Sequence, residues 1–273
     1  MQIQILEAIN DAARNFQYDY IIIDGIFLII WITILIFKKK KNPLLAGIIT
    51  GILIYIIDAV FWWNLPAGPN YPAGTFVREY WIGGIQIPHP LGEYFWLKFG
   101  ADFMMTISYA IFAFGWLWIV FENLTKQDDK NLIKKDLILF TSLYFGFWML
   151  TPFISYWLPI NDIIVNTVRH MDTQIIIWII NVLIGYITLI IIYASGKFGQ
   201  RNLKIIGFVF IIGLAQSFFM EFPLFISGIR PTGIIFLIYE IFFLFNQGAP
   251  YLFILYDKIL PILNTRIRKK MNN

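Results

Sequence analysis

Long apolar runs dominate this chain, and short polar stretches separate them. Seven windows hold roughly the 20 mainly apolar residues that a helix needs to cross a hydrocarbon layer about 30 Å thick. They are 20–37, 44–63, 94–121, 136–158, 173–194, 205–226 and 233–256. The third would be about 42 Å long at 1.5 Å per residue, so it is expected to tilt or protrude. The pattern predicts an all-α integral membrane protein, one seven-helix domain over residues 1–273.

Three flanking segments carry their own expectations. In residues 1–17, Ile5, Ile9, Ala12, Ala13 and Phe16 recur at helical spacing. They predict either a short amphipathic helix on the outer interface or a frayed tail; no cleavable leader is expected there. Residues 64–93 hold five prolines and five glycines, a turn-rich path. In that loop "TFVREYW" and "IQIP" flank Gly83–Gly84 and can pair as a hairpin. Tyr71, Phe76, Tyr80 and Trp81 favour a folded, lid-like cap. Residues 257–273 form a basic tail.

Composition agrees with the pattern. Hydrophobic residues make up 59% and charged residues 14%, where a soluble domain carries about 25% charged. Of the 21 Lys and Arg, sixteen fall in alternate connections: Lys38–Lys41, the 126–135 segment, the 197–204 segment and the tail. The other five are Arg14, Arg78, Lys98, Arg169 and Arg230. This asymmetry predicts the N-terminus outside and the C-terminus in the cytoplasm of a cell-membrane protein. The net charge of +4, split among short loops, is no sign of a nucleic-acid partner. Membrane lipids and a small-molecule or lipid substrate are the partners to expect.

Against this background five acids stand inside the windows: Asp24, Asp58, Asp102, Glu221 and Glu240, each on a different helix. Each lies five to eight residues from the outer end of its window, about 7–12 Å deep. An isolated charge at the centre of a membrane helix costs about 2.5–3.5 kcal/mol. Five of them must be hydrated, protonated or paired, and the expected arrangement is a shared polar chamber opening outward under the 64–93 loop. On the third window Tyr94, Lys98, Asp102, Thr106 and Tyr109 share one face, and Asn181 on the fifth can join them. Lys98 has a second option, reaching to the outer interface. Arg230, in the short loop between Glu221 and Glu240 in sequence, can close over the chamber and counter its negative charge. With Arg78, Arg169 and Lys98 it can grip a phosphate or carboxylate head group.

The chemistry that these residues allow is narrow. There is no cysteine and there are two histidines, His89 and His170, so no zinc site is expected, and no haem. The last window has no lysine for a retinal Schiff base. Mg²⁺ or Ca²⁺ held by carboxylates remains open. "GIITG" at 47–51 is a GxxxG packing motif. Three functions stay open. One is a membrane-embedded enzyme on a lipid or isoprenoid substrate, with Asp102 and Glu240 as acid and base and Asp58 and Glu221 as partners or metal ligands. The second is a proton- or cation-coupled transporter with a 3+1+3 helix repeat. The third is a non-catalytic receptor or assembly protein whose acids form a structural network.

Overall fold

The structure, a computed structural model, describes residues 11–125, 130–158, 160–170, 172–199, 201–230, 233–244 and 246–264. Ile5, Ile9 and the end of the basic tail lie outside them. Among the described residues seven helices are long and apolar enough to cross a membrane: α1 (Asp19–Phe37), α2 (Lys41–Asn64), α3 (Gly92–Asn123), α4 (Lys134–Trp157), α5 (Ile175–Ala194), α6 (Leu203–Ile226) and α7 (Ile234–Asn264). They match the seven windows, with small shifts at most ends and a longer α7. The architecture is that of a multi-pass membrane protein.

α3 is the axis of the bundle. Buried residues make up 89% of its most apolar stretch, against 22–47% for the other six. The outer helices instead present aliphatic rows outward, such as Ile176, Ile180, Ile184 and Ile187 on α5, as lipid-facing helices do. Gly47 and Gly51 let α2 press onto α3. A Cβ on Gly47 would sit 2.6 Å from the Ile111 Cα, and one on Gly51 would sit 3.0 Å from the Ile107 Cα. The GxxxG motif therefore serves close packing.

One end of the bundle carries a sheet in the order β1-β4-β2-β3, all antiparallel neighbours. Its strands are β1 (Asp11–Gln17), β2 (Arg78–Ile82), β3 (Ile85–Gln86) and β4 (Ile164–His170). The hairpin expected around Gly83–Gly84 forms as β2–β3, with Trp81 opposite Gln86. The rest of the 64–93 loop folds onto it through a Pro66–Phe76 bridge and a stack of His89 between Trp63 and Phe76. Over residues 11–17 both expectations for the N-terminal segment, amphipathic helix and frayed tail, are corrected: these residues are a strand, and residues 1–10 lie outside the described residues. β4 supplies a full ladder of backbone partners from Asp11 to Gln17, and alternation buries Phe16 while Asn15 stays exposed.

Candidate functional site

Register decides what the sheet shows the bundle. Side chains two apart along a strand share a face. Three cross-strand rows therefore stack on one face: Phe16–Val165–Ile82, Arg14–Thr167–Tyr80 and Arg169–Arg78. Phe16, Val165, Thr167, Arg78, Tyr80 and Ile82 are buried, and Arg14 and Arg169 nearly so. Three arginines thus point from a sheet into helix ends that carry acids.

The acids meet them. The Asp58 Oδ2 accepts from Arg78 and, at 2.6 Å, from Arg169. Asp102 accepts from Lys98 and from the Tyr80 hydroxyl at 2.6 Å, and Arg78 lies 3.5 Å away. Glu221 accepts from Arg14 at 3.2 Å and from Arg230 at 3.0 Å, and Arg230 reaches on to Glu240 at 2.6 Å. Burial opposes the charge on Arg78, but Asp58, Tyr80 and Asp102 outweigh it and hold its pKa above the ordinary value. For Arg14 and Arg169 burial prevails and lowers the pKa; guanidinium stays charged nonetheless. Among the described residues, five cations face four carboxylates on this side of the sheet.

The acids expected in one chamber are therefore held in two ion-pair clusters. Asp24 stands apart: it is buried beside Ser108 and has no ion pair among the described residues. Lys98 does not reach out to the interface. It is 2% exposed, donates to the Ala59 carbonyl at 3.2 Å and lies 4.2 Å from the Trp63 ring centre. With Asp102 it borders a cleft of about 210 Å³ between α2 and α3.

A larger cavity, about 380 Å³, opens beneath the sheet. Arg14, Asp58 and Arg169 border its sheet end, and Tyr109, Asn181, Gln247 and Tyr251 border it farther in. Between them the wall is apolar and aromatic, with Ile54, Ile57, Trp62, Met105, Trp178 and Leu244. Of the four paired acids only Asp58 borders this cavity; Asp102, Glu221 and Glu240 do not. No group of three or more potential metal ligands comes together among the described residues.

The helices that carry the site are locally widened. π-helical segments occupy Tyr55–Phe61, Met104–Ser108 and Glu240–Leu244. The first contains Asp58, the second begins two residues after Asp102 and the third begins at Glu240. A π turn inserts a residue and re-aims the side chains after it, and such turns are frequent at functional sites. α7 also turns at Asn246 and Gln247 before helix resumes at Gly248.

Sequence reasoning missed Arg14, Tyr80 and Thr167 as members of the site, and missed β4 altogether. The signal was present as alternation: Arg14-x-Phe16, Arg78-x-Tyr80-x-Ile82 and Val165-x-Thr167-x-Arg169. No protein-family model matches the chain, and neither does a curated protein or a solved structure.

Proposed function

We propose that this multi-pass membrane protein binds an amphiphile with an anionic head group, a phosphate or carboxylate of a lipid or isoprenoid, in the cavity beneath the sheet. The head lies between Arg14 and Arg169, and the hydrocarbon runs along Ile54, Ile57, Trp178 and Leu244. The observation that carries this reading is the cavity wall itself. Two guanidiniums, one from each ion-pair cluster, sit beside Asp58 at one end of an otherwise largely apolar pocket, and among the described residues the two clusters together hold one more cation than carboxylates. Guanidinium pairs bind phosphate and carboxylate with two parallel hydrogen bonds, and a water-poor wall strengthens the attraction. If the bound molecule reacts, Asp58 is the carboxylate placed to exchange a proton with it, rather than Asp102 or Glu240. The reading assigns no metal. The lysine asymmetry puts the sheet end outside.

A transporter is the second reading. The turn in α7 borders the same cavity, and substrate sites in transporters are typically made by interrupted helices.

The test compares octyl phosphate with octanol, using protein in lipid nanodiscs and the fluorescence of the cavity tryptophans. Octyl phosphate is expected to bind at least tenfold more tightly, and Arg169→Gln to remove that advantage while Asp58 keeps Arg78. Equal binding of the two amphiphiles, or an Arg169→Gln variant with unchanged preference, would overturn the reading.

A further inference from the structure

Four of the five acids in the spans are paired with cations, and Asp24 is left over. It is 4% exposed and has no ion pair among the described residues. It borders neither the cavity beneath the sheet nor the cleft beside Lys98. An isolated carboxylate in such surroundings takes up a proton rather than stay charged. Its neighbour suits the acid form. Ser108, at the end of the π segment Met104–Ser108, lies beside the Asp24 carboxyl. The Ser108 Oγ is buried and has no other partner among the described residues. A carboxylic acid O–H can donate to that oxygen, and a carboxylate has no hydrogen to donate.

One turn nearer the sheet, the same face of α1 offers a way in. Tyr20 and Asp24 are four residues apart and share that face. The Tyr20 hydroxyl and the Trp148 Nε1 of α4 are both buried without a hydrogen-bond partner among the described residues. Both side chains border a cavity of about 10 Å³, and Arg14 borders it too. That is about the room that one water needs, given two or more polar partners. Tyr20 also lies in the electrostatic reach of Arg14 on β1, Glu221 on α6 and Asp24 itself. The other helices packed at this corner present Met104 and Ser108 from α3 and Trp148 from α4. No charged side chain acts on Asp24 among the described residues.

We propose that Asp24 is a proton-binding site inside the bundle, supplied from the sheet end through a water in this small cavity and the Tyr20 hydroxyl. One proton leaves the solution at the sheet end and finishes on the Asp24 carboxylate. The water and Tyr20 each pass on one proton as they receive another, so neither changes. The site goes beyond the amphiphile reading and does not rest on it. It gives the transporter reading a coupling ion.

The experiment is infrared difference spectroscopy of the full-length protein in nanodiscs at pH 6, about two units above the ordinary Asp pKa of about 3.9. Wild type minus Asp24→Asn is expected to show the carbonyl band of a protonated carboxyl. A carboxylate band in its place would overturn the site. Ser108→Ala keeps the carboxyl and removes its neighbour, so it is expected to move that band to higher frequency. An unmoved band would refute the pairing with Ser108, and this comparison with wild type holds even where Asp24→Asn folds poorly. Transfer into D₂O reads the route. Deuterium is expected to reach the band about tenfold more slowly in Tyr20→Phe, as loss of roughly one hydrogen bond from a transfer step allows. Equal exchange in Tyr20→Phe and wild type would overturn the route through Tyr20.

Discussion

Arg78 and Arg169 stand directly opposite each other on neighbouring strands, an arrangement that is repulsive by itself. Asp58 makes it tolerable by accepting from both. Removing that charge strands two buried guanidiniums, so Asp58→Asn is expected to cost about 3–5 kcal/mol of stability. Asp24 has no cation to strand among the described residues, and Asp24→Asn is expected to cost about 1 kcal/mol or less. Denaturant titration of both variants checks this, and equal losses would contradict the pairing. Asp102→Asn should resemble Asp58→Asn because Lys98 loses its partner. Lys98→Met with Asp102→Leu should recover much of the loss, since an apolar pair of similar volume often replaces a buried ion pair at little cost. His89 carries a pH dependence. Burial between Trp63 and Phe76 depresses its pKa below the ordinary 6.5. The unfolded chain then binds the proton more readily, so the stabilisation is present above pH 6.5 and is lost as pH falls below it. The thermal midpoint should therefore drop between pH 7 and 5, and His89→Phe, which keeps the stack, should flatten that part of the drop.

Among the elements, α2 and α3 have the narrowest tolerance. Gly47→Ala puts a methyl against the Ile111 backbone, which cannot swing aside, and is expected to cost about 1–3 kcal/mol. A methyl added at Gly25 on α1 would meet no atom within 4 Å. Gly25→Ala should therefore gain about 0.5–1 kcal/mol from helix propensity. Thermal unfolding of the two variants separates these outcomes. The helices were legible because twenty apolar residues in a row admit few other structures, and the GxxxG of α2 named its own role. β4 was not legible: "IVNTVRH" is seven residues between two spans, and its partners lie far off in the chain. The acids were legible as costly groups at one depth, but which arginine meets which acid depends on strand register. The π segments at Asp58, Asp102 and Glu240 left no mark in the sequence, because a widened turn needs no particular residue.

At the scale of the molecule, the sheet and the bundle are joined by charge. Arg14, Arg78 and Arg169 come from three strands, and their carboxylates come from α2, α3 and α6. The chain has no cysteine, so single cysteines give clean labels for its orientation. Ala73, beside the sheet, and Lys41, at the start of α2, are both exposed. Ala73→Cys is expected to react with an impermeant maleimide added outside intact cells, and Lys41→Cys only after lysis. The reverse result would invert the topology read from the lysines. The strand order has one more consequence, for manufacture. β4 is the shared neighbour of β1 and β2, yet it is made after α1 to α4. At roughly 5–20 residues per second, β1 waits on the order of 10–30 s on the ribosome's schedule before its partner exists. Through that interval Arg14 and Arg78 have already been made while the strand between them is still unwritten. A nascent chain arrested before Ile164 would hold its helices but expose two uncapped strand edges, which makes β4 the step at which a quality-control protease can tell a finished molecule from an unfinished one.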